Sequence, residues 1–194
     1  MNTTTANSIA NLRLALQTLG SFSERDLDIL VGHFTPLSIV KDDYLIKPGK
    51  TCQSIYFIEE GSFRQYTISD SGEELTQNLY LERDWMLEYK SFTSQQPSTS
   101  SIQATEDSNL LVLSVHDLHK LMKLSDVFFQ VGRIFQFAIK GQEMQAPDSS
   151  PKERYAHLLQ NKPRIVQRFP LKYIASYLGM APETLSRVRK NLAC

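Results

Sequence analysis

One twenty-residue stretch leaves this chain few options: residues 171–190, LKYIASYLGMAPETLSRVRK. Ile174 and Leu178 lie one turn apart on a single helix face, and Gly179 supplies a residue that can end a helix at positive φ. Pro182 then suits the first position of a following helix, where its missing N–H costs nothing. Ala175 stands where two such helices cross most closely, a place that demands a small side chain, while Met180, Leu185 and Val188 return to seal the core. The spacing predicts two short helices joined by a tight turn, a helix-turn-helix.

The second of these helices carries side chains that its core does not need: Glu183, Thr184, Ser186, Arg187, Arg189 and Lys190. Arg187, near the middle, can bridge a guanine edge bidentately, and Glu183 can accept from a cytosine amine. Thr184 and the helix N-terminus suit phosphates, as do Arg189 and Lys190; Lys172 and Tyr173, opening the first helix, are further phosphate candidates. The formal net charge of zero conceals a split that favours such a partner. Residues 1–150 hold 12 Lys and Arg against 19 Asp and Glu, net −7, whereas residues 151–194 hold 9 against 2, net +7. That density is what phosphate neutralisation requires. One recognition helix touches too few base pairs for useful specificity, so the expected unit is a homodimer reading palindromic double-stranded DNA.

Upstream the texture differs. Residues 7–19 read as a helix stopped by Gly20, and Ser23 with Asp26 forms a capping box for a second helix. Short β-rich runs follow at 37–40, 44–47, 54–58, 63–68, 75–81 and 110–113, separated by turn signals at Pro48-Gly49, Glu60-Gly61 and Asp70-Ser71-Gly72. That rhythm predicts a small antiparallel sandwich or barrel. Ser114 and Asp117 cap another helix, and residues 125–145 carry Phe128, Val131, Phe135 and Ala138 at three- and four-residue steps. With Val127, Ile134 and Ile139 beside them, the apolar stripe is wider than one packing surface needs, which nominates this helix as the dimer interface. Pro147 marks a hinge, Ser150-Pro151-Lys152-Glu153 opens a further helix, and Pro163 is expected to stop it. The expected organisation is a sensor domain at 1–124, a dimerisation helix and hinge at 125–149, and a helix-turn-helix domain at 150–194.

These parts in this order resemble the Crp/Fnr superfamily of bacterial regulators, most specifically at Ile174-Ala-Ser-Tyr-Leu-Gly and Pro182-Glu-Thr-Leu-Ser-Arg187. The resemblance implies an α+β chain: an N-terminal double-stranded β-helix of jelly-roll type, a long dimerisation helix, and a C-terminal all-α helix-turn-helix. Only Asn191 to Cys194 follow Lys190, so an extended wing is not expected. It also implies that Glu183 and Arg187 are the base-reading pair, and that RNA polymerase is a further candidate partner. Pro182 stands where cyclic-AMP-binding relatives often carry arginine, so the family's operator sequence does not transfer.

The sensor half departs from that pattern. Relatives that bind cyclic nucleotides carry Gly-Glu-Leu and, about ten residues later, Arg-Ser/Thr-Ala; here the matching stretches are Leu87-Glu88-Tyr89 and Ser98-Thr99-Ser100. Glu88, the ribose ligand, remains. The phosphate-pairing arginine is Ser98, and losing the charged partner of a buried phosphate costs about 2–5 kcal/mol of binding. The expectation is a diverged effector pocket formed by Leu87, Glu88, Tyr89, Ser98 and Thr99, with another small molecule or none in place of cyclic AMP. A cyclic-nucleotide-responsive regulator using this diverged cassette is the nearest alternative.

Other chemistries lack their residues. Cys52 and Cys194 are too few and too far apart for an iron–sulfur or zinc site, so no cofactor is expected. A metal-dependent barrel enzyme is the rival from another class, but none of His33, His116, His119 and His157 falls on a central predicted strand. No run approaches the roughly 18 apolar residues of a membrane span, and the start lacks a basic-then-apolar leader, so a cytoplasmic, membrane-free location is expected.

Overall fold

The structure, a computed structural model, describes residues 3–140 and 149–192. Eight short strands build two antiparallel four-stranded sheets: β1 (Thr35–Ile39), β8 (Ser108–Ser114), β3 (Ser54–Glu60) and β6 (Trp85–Met86) in one, β2 (Tyr44–Ile46), β7 (Ser101–Ala104), β4 (Phe63–Ile68) and β5 (Glu74–Tyr80) in the other. Alternation sets the faces: across β3 and β8, Ile55 and Phe57 pair with Leu113 and Leu111 on one face and Ile58 pairs with Leu110 on the other, all of them buried, as are Phe63 and Ile102 of the second sheet. Phe57 packs on Trp85 at 4.9 Å between ring centres, and Trp85 on Phe34 at 6.1 Å.

Helices α1 (Thr3–Gln17) and α2 (Glu24–Gly32) cover one end, burying Leu12, Leu16, Leu19, Leu27 and Leu30 completely. Ser23 and Asp26 form the expected capping box of α2. Gly20 serves a purpose that sequence alone did not reveal: a Cβ there would lie 2.1 Å from Gln130 Oε1, which accepts from Ser21 N–H. The close approach, rather than positive φ, selects glycine.

Two expectations need correction. Strands β6 and β7 and the short helix α3 (Tyr89–Ser94) occur where no run was expected. The single helix expected over 125–145 is instead a 3₁₀ segment, Asp126–Arg133, after α4 (Val115–Leu124), followed by α5 (Ile134–Lys140); residues 141–145 lie outside the described residues, as does most of the hinge. Gln130 reaches Ser21 and Arg133 donates to Leu19 O at 2.9 Å, contacts across the α1–α2 junction that accompany the tighter winding.

The tail holds four helices: α6 (Pro151–Asn161), α7 (Pro163–Arg168), α8 (Leu171–Tyr177) and α9 (Pro182–Leu192). Ser150 and Glu153 form the capping box of α6. Pro163 ends that helix but also opens α7, because proline is as well suited to the first helical position as it is unfit for the interior.

Candidate nucleic-acid interface and sensor cassette

Gly179 takes φ +62° between α8 and α9, and its amide bonds Ser176 O while that of Met180 bonds Ala175 O. These bonds close α8 and turn the chain into α9. Ile174, Ala175, Leu178 and Leu185 are buried to 2% exposure or less, with Tyr155, Leu158 and Ile165 from α6 and α7 completing their core. Val188 and Met180 pack at its edge.

With Leu185 turned inward, α9 presents Glu183, Arg187, Arg189 and Lys190 as exposed side chains, and Thr184 and Ser186 half-buried beside them. Arg187 Nη2 lies 3.5 Å from Thr184 Oγ1, a weak contact that leaves most of the guanidinium's donors unused. Lys172 is exposed, its Nζ 4.9 Å from the centre of the Tyr173 ring. Tyr173 itself turns toward the sensor. Its ring stacks on the Arg64 guanidinium of β4 at 4.0 Å, and Tyr66 lies on that group at the same distance. Among the nucleic-acid candidates, Tyr173 is thus half-buried with its ring on a cation of this chain.

Arg64 was not singled out in sequence, yet it is only 3% exposed and pairs with Glu74 at 2.7 Å. It belongs to a broader junction between tail and sensor. Strand β5 is an edge strand with unpaired backbone groups, and α8 covers it: Ser176 Oγ accepts from Thr76 N–H at 2.8 Å and donates to Glu74 O at 3.0 Å. Leu79 and Leu81 join the core of the tail. Arg168 holds Glu106 bidentately, by 2.9 and 2.8 Å bonds, and also reaches Glu82, which Arg164 pairs with as well. Hydrogen bonding to Glu106, reinforced by its charge, raises the Arg168 pKa. Two of the nine tail cations therefore form ion pairs with acidic groups of this chain, and the charge of a third, Lys162, acts on Asp84. A charge count alone cannot separate such partners from phosphates.

The cassette residues divide between the start of α3, where Leu87, Glu88 and Tyr89 follow one another, and the segment after it, which holds Ser98 and Thr99. Leu87 is 1% exposed in the sandwich core. Glu88, 5% exposed, caps α3 by accepting from Ser91 N–H at 2.7 Å. Tyr89 and Phe92 meet Phe135 of α5, each at 5.8 Å between ring centres. Ser98, 4% exposed, donates to Ser100 O and accepts from Ser100 N–H, while its backbone bonds Gly49 and Lys50. Thr99 points to solvent and stands apart. Cys52, below α3, is buried; its amide donates to Ser91 Oγ, and burial pushes its thiol above the ordinary value.

Of the apolar stripe expected to form a dimer interface, Phe128 and Val131 are 1% and 0% exposed inside this chain, and Phe135 is engaged by α3. The side chain of Ala138 lies outside the described residues. The exposed aromatic residues of this segment are Phe129 at 56% and Phe137 at 49%, so the assignment of faces is corrected. The stripe was wide enough for two surfaces, and the sandwich core takes the one assigned to a partner. No helix among the described residues is long and apolar enough to cross a membrane.

Residues 36–125 match the family model of the cyclic nucleotide-binding domain. The chain is 31% identical over 182 residues to the fumarate and nitrate reduction regulatory protein of Vibrio cholerae, an alignment covering 86% of this chain and 71% of that protein. Its fold is shared with FixK2 from Bradyrhizobium japonicum (TM-score 0.65, 17% identity, 82% and 84% coverage). The catabolite activator protein of Thermus thermophilus shares it too (TM-score 0.56, 18% identity, 89% and 84% coverage). A cyclic-nucleotide-type β-sandwich, a terminal helix-turn-helix and a relative at this identity agree: the chain belongs to the Crp/Fnr superfamily of transcription regulators.

Proposed function

We propose that this regulator is a homodimer that binds palindromic duplex DNA through α9, with Glu183 and Arg187 on base edges and Arg189, Lys190 and Lys172 on phosphates. The observation that carries the reading is the exposed face of α9, where Glu183 and Arg187 stand one turn apart above a sealed core. That spacing directs both side chains to the same side of the helix, as major-groove readout needs. Arg187→Ala should cost roughly 1–3 kcal/mol on the selected sequence and relax preference at one position, whereas Lys190→Ala should weaken all duplexes alike. The experiment is selection from a random duplex pool followed by titration of both variants. Identical behaviour of the two on every sequence would remove Arg187 from base reading.

The cassette is proposed not to take cyclic nucleotides in the family's manner. Ser98 brings no charge, and both its bonding directions are engaged with Ser100; Glu88 is committed to capping α3. A cyclic phosphate would be buried here without a cation, at a cost of several kcal/mol. Calorimetry with cyclic AMP should give no micromolar binding, and a micromolar isotherm would reverse the proposal.

A further inference from the structure

Arg154 ends the first turn of α6, between Glu153 and the buried Tyr155. The residue is half-buried, and its Nε is shut off from solvent with no hydrogen-bond partner among the described residues. No ion pair among the described residues includes it. The carboxylate next to it in sequence, Glu153, is committed to the capping box, where it accepts from Ser150 N–H. Other arginines of this chain that lose water gain a carboxylate in exchange: Arg64 holds Glu74, and Arg168 holds Glu106. A guanidinium has only donors and cannot shed its charge, so enclosing part of one without an acceptor is costly. The cost is recovered where an anion arrives from outside the chain.

The place of the group says which anion. A Cβ added at Gly179 would lie 3.6 Å from Arg154 Nη1, so this end of the guanidinium rests on the turn between α8 and α9. Gly179, Ala181, Pro182 and Glu183 are exposed along that turn, and Gly179, at φ +62°, brings no side chain to screen the cation. Tyr155 and Leu158 seat α6 in the same core as Ile174 and Leu185, which fixes Arg154 relative to α9. A recognition helix enters the major groove by its N-terminal end while the helix before it crosses the backbone. The turn that joins them therefore comes to the rim of the groove, where the phosphates stand.

We propose that Arg154, from outside the helix-turn-helix itself, is a further DNA contact: its Nη groups bond one backbone phosphate beside the α8–α9 turn. The contact adds affinity and docking register and carries no base preference. The inference rests on the reading of α9 as the helix that enters the groove, and extends the interface to α6.

The test titrates the full chain with the duplex selected from the random pool, and with an unrelated duplex of equal length, between about 50 and 200 mM salt. Arg154→Gln should weaken both duplexes about tenfold at the lower salt and reduce the salt slope by about 0.9, whereas Arg154→Lys should keep the wild-type slope. Methylphosphonates placed one at a time along the selected duplex each remove one phosphate charge. At one position per half-site the substitution should weaken wild type about tenfold and leave Arg154→Gln unaffected, a coupling that a purely structural arginine would not give. NMR of the wild-type Arg154 Nε–H group reads the same contact without a variant, should Arg154→Gln fold poorly. Its resonance should shift on adding the selected duplex, and the shift should be lost with one methylphosphonate position. An unaltered salt slope in folded Arg154→Gln, methylphosphonate losses equal in both proteins, or an Nε–H resonance indifferent to duplex would each overturn the proposal while leaving base reading by Arg187 in place. A wild type that selects no duplex would overturn both.

Discussion

Ser176→Ala deletes one hydroxyl and with it both hydrogen bonds that tie α8 to the edge of β5. Thr76 is only 2% exposed, so its amide has little access to water once Ser176 Oγ is gone. Stranding such a donor costs about 1–3 kcal/mol, and the bond lost by the Glu74 carbonyl adds at most about 0.5 kcal/mol because water can replace it. Taking about 2 kcal/mol for the sum, the open form of the junction rises roughly thirtyfold relative to the closed one. Amide hydrogen exchange followed by NMR reads this directly: Thr76 should exchange about thirty times faster in the variant, with the amides of central strand β4 unchanged. Ser176→Thr, which keeps the hydroxyl, should restore most of the protection. If Thr76 exchanged at the wild-type rate in a folded Ser176→Ala protein, the hydroxyl would not be what closes the edge of β5.

Leu185, with no exposed surface at the centre of the tail's core, should cost about 2–5 kcal/mol when cut to alanine; a loss below about 1 kcal/mol in chemical denaturation would contradict its place there. Asp117 offers a pH test. Hydrogen bonds from Ser114 and then Lys120, with the charges of Lys120 and His33 nearby, lower its pKa from the ordinary 3.8 to about 2. A carboxyl whose pKa is lower folded than unfolded stabilises fully above its unfolded value and loses that contribution as pH falls through the folded value. Asp117→Asn should therefore be less stable than wild type at pH 6, with the gap closing between about pH 4 and pH 2; a gap independent of pH would show that the carboxylate charge is not involved.

The features readable in the sequence are those whose cause is local. Ser23 with Asp26, Ser114 with Asp117 and Ser150 with Glu153 each act over three residues, and all three cap helices as their spacing requires. The helix-turn-helix is equally local: Gly179 and Pro182 set its turn, and Ile174, Leu178 and Leu185 its core. Strands β6 and β7 escaped notice because each is brief and owes its pairing to distant partners, β6 to Phe57 and β7 to Tyr44 and Arg64. The junction was illegible for the same reason. Ser176 meets residues about a hundred positions earlier, and neither its hydroxyl nor the Arg64 guanidinium leaves a pattern in the sequence near it. Width of an apolar stripe, likewise, announced that α5 and the segment before it have two faces but not which one the sandwich takes.

The charge split acquires a second meaning once the junction is known. The acidic sensor and basic tail of one chain are complementary, and six of the nine tail cations form an inward and an outward set. Arg164 and Arg168 face Glu82 and Glu106, in pairs that are partly exposed and so weak one by one. Lys172, Arg187, Arg189 and Lys190 have no carboxylate partner among the described residues and line the face that α8 and α9 leave open. The inward set cannot give the junction its strength alone. The buried groups do more: Arg64 between two tyrosine rings, Ser176 on two backbone groups, Leu79 and Leu81 in a shared core. Charge complementarity brings the halves together over distance, and short-range packing fixes their register, because exposed ion pairs are screened by salt while packed side chains are not. High salt should then loosen duplex binding far more than it loosens the junction, although both unite opposite charges.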